Sequence, residues 1–199
     1  FERCYRDRKA GESKPVRKVT RALVSNVIGA MEAICAIASS INMPSWLPDR
    51  SERNYLAVKN GILDMDRLFR GGDDCLVDHS DNWFCAFRLD YSFDIEADCP
   101  IWMRFIHSAM DGDPERIAIL QEWAGYCLTG RNEHQRFLAM EGDGGNGKTV
   151  YTAGITAMLG SENISRVALE KFGGQFDLST TIGKAVNICG DVGEIDKAA

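Results

Sequence analysis

The sequence lacks an apolar run long enough to cross a membrane and a recognisable secretion signal. Its longest apolar stretch, residues 27–38, is interrupted by Glu32, whereas a membrane-spanning helix needs about 20 apolar residues. We therefore expect no membrane contact and a cytoplasmic location. The sequence also lacks C-x-x-C pairs, and its seven cysteines are scattered and odd in number. Such cysteines favour a reduced interior over a disulfide framework.

Positive charge is scarce as well. The net charge of −6 argues against a protein that simply coats nucleic acid through its phosphates. The sign is uneven, because residues 1–21 carry eight Lys or Arg against three Asp or Glu. Two interpretations of this basic segment, residues 1–21, are open: contact with a phosphate backbone, or a solvated linker and helix face. The chain begins at Phe1 and ends in a region that resembles an active site, so we expect it to be an internal part of a longer protein.

The most informative stretch is residues 142–149, which fit the P-loop pattern G-x-x-x-x-G-K-[ST]. The apolar residues 136–140 before it predict a buried strand, and residues 150–159 after it predict a helix that ends at Gly160. Glycines let backbone N–H groups turn toward a phosphate, and the helix N-terminus adds partial positive charge. The alternative is a glycine-rich turn without a ligand.

The P-loop pattern assigns roles to individual side chains. Lys148 is expected to reach the β- and γ-phosphates of ATP, and the Thr149 hydroxyl to hold Mg²⁺. The predicted cofactor-binding residues are the whole loop: Gly142, Asp143, Gly144, Gly145, Asn146, Gly147, Lys148 and Thr149.

A second carboxylate-bearing element lies downstream. Residues 184–190 are mostly apolar, predict a strand and lead into Asp191, which is expected to hold Mg²⁺ directly or through water. Glu194 is a candidate for orienting or deprotonating the attacking water. The predicted catalytic residues are thus Lys148, Asp191 and Glu194, and the predicted metal ligands are Thr149 and Asp191. An ordinary strand followed by an acidic turn is the alternative.

The rest of the chain predicts a mainly helical region with one hairpin. Residues 16–38 carry an apolar stripe at helical spacing that is expected to be core, and Asn60-Gly61 separates two apolar runs as in a β-hairpin. Asp113-Pro114 predicts a helix start and Gly130 its end. We expect a linker or upstream tail over residues 1–14, an α-rich domain over 15–135 and a truncated P-loop ATPase domain over 136–199.

Several of these pieces together resemble the phage and plasmid primase–helicases related to the poxvirus primase–helicase, whose motor belongs to helicase superfamily 3. The resemblance covers roughly residues 50–199. Its most specific part is Gly-Gly-Asn-Gly-Lys-Thr at residues 144–149, preceded by Gln-Glu-x-x-Gly-Tyr at 121–126; further matches are residues 58–64, Tyr91, residues 100–102 and Gly183-Lys184 leading to Asp191.

The resemblance implies a small α+β helical domain with a β-hairpin, followed by the start of an α/β, AAA-like P-loop ATPase core. It implies ATP and Mg²⁺ as cofactors, single-stranded DNA as partner and a homo-hexameric ring. The family often places two acids in tandem, whereas here Gly190 precedes Asp191. The family's sensor and arginine finger lie further downstream, so we expect this piece alone to bind nucleotide weakly and turn over little.

Two other function classes stay open on the sequence. A nucleotide or small-molecule kinase would use the same loop, but it needs an arginine-rich lid after residue 149, where only Arg166 is present. A non-catalytic replication-complex interaction module is the other, with Gly190 in place of an acid as its support.

Overall fold

The computed structural model describes residues 19–49, 51, 53–72, 74–174 and 177–190, the side chain of Asp177 excepted. The chain divides into two compact units between Ile41 and Asn42. The helices are α1 (Arg21–Cys35), α2 (Met65–Phe69), α3 (Pro100–Ala109), α4 (Pro114–Thr129) and α5 (Lys148–Leu159). The strands are β1 (Ser45–Trp46), β2 (Tyr55–Val58), β3 (Gly61–Asp64), β4 (Leu76–Val77), β5 (Trp83–Phe84), β6 (Ile164–Ser165) and β7 (Val186–Asn187).

The first unit contains α1. This helix begins after Thr20, whose hydroxyl accepts a hydrogen bond from the Leu23 N–H at 3.2 Å and caps its N-terminus. The predicted helix is therefore present, with its predicted beginning outside the described residues. The expectation that its apolar stripe is buried is wrong within this unit, since α1 has no buried residue and Ile34 is 84% exposed.

The predicted hairpin is confirmed, but its turn lies one residue earlier, at Lys59-Asn60, because Gly61 already belongs to β3 and pairs with Val58. The hairpin forms part of a three-stranded antiparallel sheet in the order β2, β3, β4. Leu56 pairs with Leu63, and Ala57 with Ile62. Because side chains alternate across a strand, the first pair contributes to the main core and the second to a smaller one around Trp83. Gly61 is required here by close packing, since a Cβ would lie 2.5 Å from the Val77 carbonyl oxygen.

The aromatic residues that follow the hairpin pack with the rest of the second unit. Trp83 is buried in the smaller core, while Phe87 and Phe93 are half-buried against the main one. β5 pairs with β1 in a short antiparallel ladder.

The helix α4 has the start and the end that the sequence predicts, and α3 precedes it in the chain. Pro100 opens α3, and Asp113 caps α4 by accepting hydrogen bonds from the backbone N–H groups of Glu115 and Arg116. Gly130 ends α4 in the left-handed conformation, at φ 63°. Both helices supply the main core, through Ile106, Ile117, Leu120 and Cys127.

Two kinds of feature are absent from the described residues. Within the described residues, no helix has the length and apolarity needed to cross a membrane. Nor do three or more His, Cys, Asp or Glu side chains in the described part of the chain come together as a group suited to a metal ion.

Candidate functional site

The predicted P-loop leads directly into α5, and this helix is fixed from two sides. Its Gly154 lies against Trp102 of α3 so closely that a Cβ there would meet the indole ring at 2.2 Å. The Trp102 ring also stacks on Tyr151, with ring centroids 5.7 Å apart and an interplanar angle of 23°. Tyr151, Ile155 and Leu159 place one side of α5 in the main core.

Tyr151 joins α5 to α4 by a buried hydrogen bond. Its hydroxyl donates to the Leu120 carbonyl oxygen at 2.8 Å, and only 3% of the residue is exposed. Burial raises the pKa of the Tyr151 phenol, with a smaller contribution from the neighbouring Cys127 thiol. The phenol therefore stays protonated at neutral pH and keeps its donor. The bond holds the position of the helix whose N-terminus carries the loop.

The loop itself has the backbone that its glycines predict. Gly142, Gly145 and Gly147 have φ values of 148°, 78° and 88°, which other residues rarely adopt. Gly147 caps α5, and a Cβ there would lie 3.1 Å from the Phe105 ring of α3. A Cβ at Gly144 or Gly145 would meet no atom within 4 Å. The loop therefore rests on α3 at its helix end and is open at its tip.

The Lys148 side chain turns back into the loop. Its ammonium nitrogen donates to the carbonyl oxygens of Gly142 at 2.6 Å and Asp143 at 3.1 Å, and to Oδ1 of Asn146 at 2.8 Å. An ammonium has three protons, so these acceptors match its full donor capacity. The charge that the sequence assigns to phosphate binding thus lies within the loop.

These residues suit a triphosphate and a divalent cation chemically. The first turn of α5 directs backbone N–H groups and the positive end of the helix dipole toward the loop. Thr149 is exposed in this first turn, and a hydroxyl oxygen is a ligand that Mg²⁺ accepts. The residues from Gly142 to Gly147 form the loop, and Lys148 and Thr149 begin α5.

The segment before the loop differs from its prediction, and the strand predicted for residues 136–140 is wrong. These residues have no regular secondary structure. Leu138 and Met140 are half-buried against the main core, while Phe137 on the alternate side is 85% exposed. The alternation of a strand is present, but a strand also needs a neighbour to pair with.

The downstream strand is present in shorter form. β7 pairs in parallel with β6, with Ile164 opposite Val186 and Ser165 opposite Asn187. The Asn187 carboxamide reinforces this pairing by accepting from the Val167 N–H at 2.8 Å and donating to the Val167 carbonyl at 2.9 Å. The predicted catalytic and metal-binding residues Asp191 and Glu194 lie outside the described residues.

The sequence did not identify the residues that position the loop. No motif in the sequence marks Trp102, Phe105 or Tyr151. One signal was available, since Gly154 lies in the middle of a helix where glycine costs about 1 kcal/mol relative to alanine. At Gly154 such a glycine coincides with close packing, whereas Gly125 in the middle of α4 has open space around it, so the signal alone does not identify a contact.

Comparison with known proteins yields little for this chain. No protein-family model matches it. It is similar to an uncharacterized mitochondrial protein, ymf21, of Marchantia polymorpha, with 27% identity over 136 residues that cover 62% of this chain and 72% of that protein.

Proposed function

We propose that this chain is an ATP-binding segment of a DNA helicase that belongs to a viral or plasmid replication protein. The proposal of nucleotide binding rests on the loop of residues 142–149. Its positive-φ glycines lead into the N-terminus of α5, and the Lys148 ammonium faces the loop backbone. The helicase part rests on the resemblance to the primase–helicases.

In this function, ATP and Mg²⁺ bind at the loop. Lys148 neutralises charge on the β- and γ-phosphates, and Thr149 and Asp191 hold the metal ion. Glu194 orients the water that attacks the γ-phosphate. Hydrolysis then drives movement along single-stranded DNA in a homo-hexamer. A cytoplasmic location stays a prediction, and the similar liverwort protein carries a mitochondrial name.

The nucleotide part is tested by titrating the chain with MgATP in a calorimeter, beside Lys148→Ala and the control Lys171→Ala. We expect Lys148→Ala to weaken binding at least about 10-fold, which is about 1.4 kcal/mol, with an unchanged circular dichroism spectrum. Lys171 lies in a short 3₁₀ turn at Leu169–Lys171, away from the loop in sequence, and its variant should bind like the wild type. Equal affinity in all three proteins would contradict the assignment.

The helicase part needs a separate measurement, because a kinase would also bind MgATP. We expect single-stranded DNA to stimulate ATP hydrolysis and to promote oligomers in a protein that contains this chain. Phosphate transfer to a small acceptor without any effect of DNA would favour the kinase alternative. MgATP binding without turnover in that protein would favour the interaction module.

A further inference from the structure

Lys148 and Asn146 are joined by a hydrogen bond that competes with a phosphate for the lysine ammonium. The Asn146 Oδ1 atom accepts from the lysine ammonium at 2.8 Å, together with the two backbone carbonyls of Gly142 and Asp143. With three donors used on three acceptors, a phosphate oxygen can gain the ammonium only if one of these bonds opens.

Of the three hydrogen bonds of the ammonium, the one to Asn146 can break without movement of the backbone. The two carbonyl acceptors belong to the backbone of the loop, so releasing them requires the chain to move. The Asn146 carboxamide is exposed and is released by side-chain rotation alone. Hydrogen bonds that involve a charged group are stronger than neutral ones, so this bond competes directly with the ligand for the lysine.

Gly142 provides the space in which the carboxamide sits. A Cβ on Gly142 would lie 2.1 Å from Nδ2 of Asn146, and any side chain at that position would displace Asn146 from its place beside the lysine. The absence of a side chain at Gly142 therefore leaves room for the Asn146 carboxamide, in addition to the role of this glycine in the proposed phosphate site.

We propose that Asn146 is a positioning residue that holds the Lys148 ammonium inside the loop and sets how readily a triphosphate captures it. The effect on triphosphate binding rests on the proposed function. The hydrogen bond that restrains the Lys148 ammonium is a property of the chain without any ligand. When a triphosphate binds, the ammonium exchanges the Asn146 oxygen for a phosphate oxygen, and the carboxamide turns outward.

The hold is tested without nucleotide by the rate at which N-hydroxysuccinimidyl acetate acylates Lys148, followed by peptide mass spectrometry. The lysine nitrogen attacks the ester carbonyl of the reagent, displacing N-hydroxysuccinimide, only after it has lost a proton and turned away from its acceptors. We expect Asn146→Ala to raise this rate about 3- to 10-fold relative to the exposed Lys59 of the same molecule, in line with the loss of one charge-assisted bond that water partly replaces. Asn146→Asp keeps an acceptor oxygen and should keep the slow rate, and the exposed Asn132→Ala serves as control.

The competition is tested by MgATP titration of the same variants. Asn146→Ala should tighten binding about 3- to 10-fold, and the same change in a Lys148→Ala background should have no effect, because the two residues act through one bond. Unchanged Lys148 acylation in Asn146→Ala would overturn the proposal. Weaker MgATP binding by Asn146→Ala in both the wild-type and the Lys148→Ala background would also overturn it, because Asn146 would then contact the ligand itself. If Asn146→Ala speeds Lys148 acylation but the protein binds no MgATP, Asn146 does restrain the lysine and the proposed function is wrong instead.

Discussion

The contact between Gly154 and Trp102 makes the most direct prediction about how the P-loop helix is positioned. Replacing Gly154 by alanine adds a single methyl group. In the structure this group would lie 2.2 Å from Cζ3 and 2.4 Å from Cη2 of the indole ring. Because Trp102 also stacks on Tyr151, the ring cannot move without disturbing a second contact of α5.

Two opposing contributions decide the size of the effect. Alanine is better than glycine in a helix by about 1 kcal/mol, and overpacking a core costs about 1–3 kcal/mol. Gly125 in α4 provides a matched control, since a Cβ there would meet no atom within 4 Å. Gly125→Ala should therefore gain stability, by about 0.5–1 kcal/mol. The helix preference is common to both variants, so their difference of about 1–3 kcal/mol isolates the packing cost.

The measurement is urea-induced unfolding followed by circular dichroism, with the free energy of unfolding compared between the two alanine variants. A third protein, Trp102→Leu, provides the background in which the clash is absent. There Gly154→Ala should become neutral or stabilising. If Gly154→Ala and Gly125→Ala raise stability equally in the wild-type background, α5 does not pack on Trp102 and the account of how the loop is positioned fails.

Two further predictions concern the core around α5. Asn163, 6% exposed, donates from Nδ2 to the carbonyls of Arg88 and Leu159; Asn163→Ala should lower the free energy of unfolding by about 1–3 kcal/mol in denaturant titrations, and a loss no larger than that of the exposed Asn132→Ala would contradict this. Burial raises the pKa of the Cys127 thiol to about 11 from an ordinary 9.0, so above pH 9 the unfolded chain loses this proton while the folded chain keeps it. Stability should therefore fall as pH rises, by about 1 kcal/mol between pH 8 and 10, and a slope as steep in Cys127→Ala would assign it to other groups.

The amino-acid sequence by itself determined the elements whose signals are local. The predicted hairpin formed with its turn one residue earlier than expected, at Lys59-Asn60. Asp113-Pro114 began α4, and glycines at 130 and 160 follow the ends of α4 and α5. Each of these signals depends on the backbone preferences or the capping chemistry of a few adjacent residues. The loop of residues 142–149 belongs to the same class, because its glycines and its lysine act within eight residues.

Tertiary structure alone decided the features that depend on partners distant in sequence. Residues 136–140 have the composition of a strand but no regular structure, because pairing needs a neighbouring strand that local sequence does not supply. Gly154 became a packing contact only because α3 brings Trp102 against it. The sequence thus determined where the glycine-rich loop of residues 142–149 forms, and packing against α3 and α4 determined how that loop is held.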